Sequence, residues 1–168
     1  MRWHLSWRAD PQGKRIADAH YNRQNPDSDQ FVPPGRCVVL IMPGVALWVT
    51  SWPKPEYVKH AWAGAWVNSL FRNERGREHR SSELITEAIA ATRFYWPDVP
   101  DLGLVTFVDE TKVAHKRDPG RCYRKAGFVL VGRTKEENLL AWQLLPERMP
   151  QPEAPLGAQH DLFAGGTS

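Results

Sequence analysis

The chain has 168 residues, of which 42% are hydrophobic and 24% are charged. This length suits one domain with a proper core, and the composition is that of an ordinary globular protein. The net charge of +3 permits a polyanionic partner such as nucleic acid without requiring one. Since no apolar run could span a membrane and the first residues contain no signal-peptide core, we expect a soluble cytoplasmic protein.

The first half of the chain predicts a β-hairpin and a further strand. Residues 16–21 predict a short helical turn, and the Asn-, Asp- and Pro-rich stretch 22–35 predicts a loop. The β-branched run 37–42 and the alternating run 45–52 are separated by Pro-Gly, which favours a hairpin. Residues 62–72 form a third strand-like run.

A long helix is predicted to begin at Ser81. Apolar residues recur at helical spacing from Leu84 to Thr92, which gives the helix one apolar face. Ser81 or Ser82 could cap its first N–H groups. The charged loop 73–80 precedes it.

The remaining chain predicts three strands around a short helix. The strands are 102–108, 128–131 and 139–145, and the helix is 122–126, ended by Gly127 in a left-handed conformation. The element order predicts a mixed α/β (α+β) fold with a largely antiparallel sheet flanked by helices.

Two regions are expected beyond the individual elements. Residues 1–147 are predicted to form a single domain, and the Pro-, Gly- and Gln-rich residues 148–168 are predicted to be a disordered C-terminal tail. The two cysteines, Cys37 and Cys122, lack metal-type spacing and are expected to be free thiols in a reducing compartment.

The strongest local motif is the segment 123–128, Tyr-Arg-Lys-Ala-Gly-Phe, which lies between two predicted strands. A phenol with an ordinary pKa of about 10 can give a proton to a departing thiolate. The alternative is that Tyr123 packs on the sheet edge while Gly-Phe closes the helix.

A phosphate site is predicted where the Arg-rich loop enters the long helix. A helix N-terminus offers free N–H groups and a partial positive charge, and loop arginines add mobile phosphate ligands. The candidate residues are Arg72, Asn73, Arg80, Ser81 and Ser82. The alternative is a solvated basic loop followed by a plain Ser cap.

Two further sets of side chains are candidates for chemistry. Asp109 follows the end of a predicted strand, where a carboxylate could act as a general base, orient a histidine or bind a metal. The alternative is an Asp that caps the following turn. The pair His20-Tyr21 is a weak signal by itself.

Taken in order, these motifs resemble the Mom-type DNA-modification proteins of bacteriophages, a branch of the GNAT (N-acyltransferase) superfamily. The resemblance covers about residues 16–145. It is carried by His20-Tyr21 with a Pro-containing loop, the hairpin 37–52, the strand ending Leu70-Phe71-Arg72, Phe107-Val108-Asp109, and Gly120-Arg121-Cys122-Tyr123.

The resemblance implies a GNAT-like transferase that modifies DNA. Mom-type proteins convert the exocyclic amine of adenine in duplex DNA to a carbamoylmethyl derivative, which protects phage DNA from restriction. It therefore implies a phage or prophage protein that acts on double-stranded DNA in the bacterial cytoplasm. His20, Tyr21, Asp109 and Tyr123 would line the reaction centre, and Arg72 and Ser82 would hold the phosphates of the donor.

The donor and any metal are left open by the resemblance. Acyl-CoA or another phosphate-bearing donor is a candidate, and so is iron held by His20 and Asp109. Trp48, Trp52 and Trp66 could stack on an adenine extruded from the duplex, with core packing as the alternative. A homodimer is one candidate oligomeric state.

Two other functions compete with DNA modification. One is an acetyl-CoA-dependent N-acetyltransferase acting on a small amine or a protein. The glycine pattern of that superfamily, Arg/Gln-x-x-Gly-x-Gly/Ala, is poorly kept in this sequence, which disfavours it. The other is a binding module with the same fold and no catalysis, which the combination of Tyr123, His20 and Asp109 disfavours.

Overall fold

The computed structural model describes residues 1–21, 23, 25–113 and 118–158. Within them, seven strands form one sheet in the order β1-β2-β3-β4-β5-β7-β6, and only β4 and β5 are parallel neighbours. The strands are β1 (His4–Leu5), β2 (Arg36–Met42), β3 (Ala46–Trp52), β4 (Trp66–Asn73), β5 (Leu104–Val108), β6 (Val129–Arg133) and β7 (Leu140–Leu144), and the helices are α1 (Pro11–Asp18), α2 (Ser81–Tyr95) and α3 (Arg121–Lys125). The predicted mixed α/β class with a largely antiparallel sheet is confirmed.

Helix α1 lies on one face of the sheet. It begins earlier than the helical turn predicted at 16–21, because Asp10 caps it by accepting a hydrogen bond from the Gln12 N–H and Pro11 occupies a first-turn position. Ile16 and Ala17 are fully buried against apolar side chains of β2, β3 and β4. The end of α1 is thereby fixed against the sheet.

Helices α2 and α3 lie on the other face and cover the larger core. Helix α2 begins at Ser81 as predicted, and its apolar residues from Leu84 to Ile89 pack beside Trp48 and Trp66. None of the described helices is both long and apolar enough to cross a membrane.

Strands β4 and β5 are paired over only part of their length. They pair at residues 66–68 and 104–106, and beyond this point β4 pairs with β3 while β5 pairs with β7. A bulge lies at the same place, because Thr50 faces Asn68 and Val49 faces Leu70, which leaves Ser69 as an extra residue. The carboxyl ends of the two parallel strands therefore part and leave an opening in the sheet.

The packed structure extends beyond residue 147. The Glu153 N–H donates to the Ala90 carbonyl and the Leu156 N–H donates to the Trp3 carbonyl, at 3.0 and 2.8 Å. Met149 is buried in the main core, in the same cluster as the apolar side chains of α2. Residues 149–158, predicted as part of a disordered tail, thus contact the domain, whereas 159–168 lie outside the described residues, as do 22 and 24 of the predicted loop.

Gly103, just before β5, has a backbone that only glycine fits. Its φ is +66°, and an added Cβ would lie 2.1 Å from the Leu144 carbonyl oxygen. The predicted strand 102–108 begins at residue 104 for this reason.

We expect Gly103→Ala to lower the free energy of unfolding by about 2–5 kcal/mol, from left-handed strain combined with overpacking. The matched control is Gly44→Ala, where φ is +70° and no atom lies within 4 Å of the added Cβ. This control should lose only about 1–2 kcal/mol. Urea unfolding followed by tryptophan fluorescence measures both, and equal losses would contradict the role of the Leu144 contact.

Candidate functional site

Tyr123 lies buried at the opening between β4 and β5. Helix α3 carries it there, and its hydroxyl donates to the Asn68 side-chain oxygen at 2.8 Å. The Thr106 hydroxyl approaches the same oxygen at 3.2 Å, while the Asn68 amide donates to the Val49 and Leu70 carbonyls at 2.9 Å each. The side-chain amide of Asn68 therefore holds the bulge, the two parting strands and the Tyr123 phenol in place through hydrogen bonds.

The environment keeps the Tyr123 phenol protonated. Burial raises its pKa well above the ordinary value, and the nearby Cys122 and Tyr21 act in the same direction. At neutral pH the group is thus a neutral hydroxyl that can donate a proton or a hydrogen bond, and it is not a base.

Tyr21 approaches the same region from the end of α1. Its ring stacks on His20, with centroids 4.5 Å apart and an interplanar angle of 26°. Burial raises the pKa of Tyr21, a hydrogen bond from the Asp109 main chain opposes this, and the Asp109 charge adds to the rise. The structure therefore brings Tyr21, Asp109 and Tyr123 into one region, with His20 beside it.

Asp109 caps the turn after β5, as the simpler interpretation of the sequence held. Its carboxylate accepts hydrogen bonds from the Thr111 hydroxyl at 2.6 Å and the Thr111 N–H at 3.0 Å. These bonds lower the pKa of Asp109, with the Thr111 hydroxyl as the largest cause. The carboxylate is ionised at neutral pH and is a weak base, so its natural role is to stabilise positive charge.

Both predicted iron ligands, His20 and Asp109, have protein contacts. Of the two predicted ligands, Asp109 has an oxygen engaged by Thr111, and His20 stacks on Tyr21. In the part of the chain that the structure describes, no three His, Cys, Asp or Glu side chains are grouped to hold a metal ion. We derive no chemical step through iron.

The predicted phosphate residues lie together at the junction of β4 and α2, but the expected Ser81 cap is absent. Ser81 does not cap α2, because Arg80 is the N-cap residue and no side chain caps the first turn. The Asn73 amide instead donates to the His79 carbonyl at 2.7 Å and to the Ser81 hydroxyl at 3.1 Å, which ties β4 to the helix.

The arginines of this junction are partly engaged by carboxylates. Arg72 lies 3.4 Å from Glu74, and Arg75 lies 3.2 Å from Glu78. The Ser82 carbonyl accepts from Thr86 one turn further along α2. An uncapped first turn with half-exposed arginines beside it remains chemically suited to a phosphate.

Two of the three predicted stacking tryptophans are not available to a base. Trp48 and Trp66 are fully buried, and the Trp48 indole donates to the Thr50 hydroxyl at 2.7 Å. Trp52 is half-buried beneath the Arg36 guanidinium, 4.6 Å from its ring. The prediction is wrong for Trp48 and Trp66 because both side chains point to the sheet face that α2 covers.

Sequence reasoning gave no role to Asn68 or Thr106. Both are polar and buried, Asn68 at an inward-facing position of β4 and Thr106 in the otherwise apolar β5. A buried polar group needs a partner, so such a residue within a strand-like run is the signal that could have found them. Their pairing across β4 and β5 was not deducible, since it depends on which strands are neighbours.

No family model, no curated protein and no solved structure matches this chain.

The raised pKa values of Tyr21 and Tyr123 predict a loss of stability at alkaline pH. A phenol whose pKa is higher in the folded than in the unfolded state stabilises the fold fully below about pH 10, and this contribution is lost as pH rises through the folded value. We expect Tyr123→Phe to cost about 0.5–1.5 kcal/mol at pH 8 but to lose less stability between pH 9 and 11 than the wild type.

Urea unfolding at several pH values measures this difference. The control is Tyr57→Phe, which makes the same change at a side chain that is 78% exposed. Parallel pH profiles for wild type and Tyr123→Phe would show that the buried phenol does not titrate as described.

Proposed function

We propose that this protein is a GNAT-like transferase of the Mom type, which transfers a small carbamoylmethyl or acyl-type group to the N6 amine of adenine in DNA. The observation that carries the proposal is the convergence of Tyr21, Asp109 and Tyr123 where β4 and β5 part. These residues come from three separate elements, and they are those that the resemblance assigns to the reaction centre.

The architecture is compatible with this proposal. A short helix carries Tyr123 against a mixed sheet with helices on both faces, as the resemblance implies. The parting carboxyl ends of two parallel strands also provide the kind of crevice in which ligands bind in α/β proteins. Polar groups that converge on such a crevice are the usual mark of a binding site.

The protonation states suit group transfer to an amine. Adenine N6 is a weak nucleophile because its lone pair is delocalised into the ring, and positive charge develops on it as the new N–C bond forms. The ionised Asp109 stabilises that charge. As the bond to the donor's leaving group breaks, the neutral Tyr123 supplies the leaving group with a proton. The N6 proton passes to solvent, and a proton from solvent restores the Tyr123 phenol. Asn68 orients the phenol.

The second candidate function is N-acetylation of a small amine or a protein. The uncapped first turn of α2 favours a phosphate-bearing donor such as acyl-CoA, and this donor would serve both functions. The two functions differ in the group that accepts the transferred group, which is adenine N6 in DNA for the first and an amine of a small molecule or a protein for the second.

The test of the proposal is the composition of DNA from a bacterial host that expresses the protein. We expect a modified deoxyadenosine in the nucleoside digest by mass spectrometry. Tyr123→Phe and Asp109→Asn should reduce its amount about 100-fold or more, since each removes a proton-transfer or charge-stabilising group.

Two control variants make the same chemical changes elsewhere. Tyr95→Phe lies at the end of α2, and Asp101→Asn lies on an exposed turn, so both should leave the modification intact. Host DNA with an unmodified nucleoside profile, from cells with folded protein, would contradict the proposal. Acetylation of amines by the purified protein with acetyl-CoA, without a DNA mark, would favour the second function.

A further inference from the structure

The segment that connects β3 to β4, residues 53–65, carries an aromatic cluster that the proposed function has not used. We name it the β3–β4 loop. His60 and Trp62 of this loop pack on Phe107 of β5, with ring centroids 4.9 and 5.9 Å from the Phe107 ring. The His60 and Trp62 rings lie 6.1 Å apart. All three side chains are half-buried, so together they present an aromatic surface to solvent; we call it the ring patch.

Small residues of the sheet make room for the ring patch. Phe107, Ala141 and Gly132 form one row across β5, β7 and β6, because Ala141 faces both of the others. A Cβ at Gly132 would lie 4.0 Å from the Trp62 ring, so the indole lies over the small end of this row. The sheet therefore supports the ring patch from below and fixes its position.

The ring patch also contains a hydrogen-bond donor, the Nε2–H of His60. The Trp62 main-chain N–H donates to His60 Nδ1 at 3.1 Å, so this nitrogen carries no proton. Burial lowers the pKa of His60, which keeps the ring neutral at physiological pH. The ring proton is consequently on Nε2, which can donate to an acceptor such as a purine ring nitrogen.

The ring patch is adjacent to the proposed reaction centre. Phe107 precedes Asp109 by two residues, and it points away from the face to which Thr106 and Tyr123 belong. Helix α1 lies on the same face as Phe107, and Tyr21 reaches Asp109 from the end of that helix. A base stacked on the ring patch would thus lie beside the Asp109 turn.

The rest of the β3–β4 loop suits a nucleic acid. Tyr57 is 78% exposed, more than any other large hydrophobic side chain in the described residues. Lys54 and Lys59 are also exposed, and neither forms an ion pair within the part of the chain described above. Exposed aromatic rings between lysines are typical of surfaces that stack on bases and follow a phosphate backbone.

We propose that the ring patch of His60, Trp62 and Phe107 binds the adenine that is extruded from duplex DNA, with the remainder of the β3–β4 loop on the flanking strand. The inference rests on the proposed function, since it names the residues that position its substrate. Stacking on Trp62 and His60 replaces the stacking that the base loses on leaving the duplex, and the His60 Nε2–H binds an adenine ring nitrogen.

Fluorescence anisotropy with the purified full chain and two labelled duplexes tests the inference. One duplex carries a single adenine opposite an abasic site, which makes extrusion easy, and the other has the same adenine paired with thymine. We expect Trp62→Ala to weaken binding of the first duplex about 5- to 100-fold and of the second duplex much less. Trp62→Phe should retain most of the affinity, because it keeps an aromatic face.

The matched control is Trp7→Ala, because Trp7 is 59% exposed and lies near β1, at the other edge of the sheet. It should bind both duplexes like the wild type. If Trp62→Ala does not keep the native circular dichroism spectrum, His60→Ala removes another ring of the patch. That variant should weaken the complex with the unpaired adenine about 5-fold or more.

The outcomes separate this inference from the proposed function. If a folded Trp62→Ala variant binds the duplex with the unpaired adenine as tightly as the wild type does, the inference is overturned. The proposed function is not affected by this result, because it is tested separately by the modification of host DNA. Equal weakening with both duplexes would mean that the loop contacts only the backbone, and would also overturn it. If the wild type binds neither duplex and leaves host DNA unmodified, the inference and the proposed function both fail.

Discussion

The side chain of Asn68 is the interaction on which the rest of the site depends. Its amide donates to one carbonyl on β3 and one on β4 across the bulge, and its oxygen receives the hydroxyls of Tyr123 and Thr106. The parallel pairing of β4 with β5 ends at this residue. A buried amide with all of these partners is costly to disturb, because each lost bond leaves a desolvated polar group. It therefore links the end of the parallel pairing to the helix that carries Tyr123.

The chemistry of the site follows from how much water reaches each group. Tyr123 is buried and Tyr21 is partly exposed, and burial raises the pKa of both phenols so that they remain neutral. Asp109 lies at a turn where Thr111 stabilises its charged form. Two proton donors and one fixed negative charge are suited to a transfer in which the leaving group gains a proton and the nucleophile gains positive charge. Neither the two phenols nor the Asp109 carboxylate is a strong base at neutral pH.

The aromatic residues divide by sheet face rather than by residue type. Trp48 and Trp66 point to the face that α2 covers, and they serve the core. Phe107 points to the face of α1, where a loop supplies His60 and Trp62 in place of a second covering helix. Because a loop covers this part of the sheet incompletely, its rings remain partly accessible. The accessible aromatic surface thus lies next to the candidate site, while Trp48 and Trp66 lie inside the protein.

The sequence by itself determined the class of the fold, the positions of the hairpin and of α2, and the motif around Tyr123, because hydrophobic periodicity and turn residues act over a few neighbouring positions. It also named Tyr21, Asp109 and Tyr123 as candidates. Only the tertiary structure decided that these residues lie in one region, that Asn68 and Thr106 hold the phenol, and that Trp48 and Trp66 are core residues. Each of those facts depends on strand order, on which face a side chain takes, and on the one-residue shift that the Ser69 bulge introduces into β4. Such properties arise between elements distant in the chain, so no local pattern encodes them.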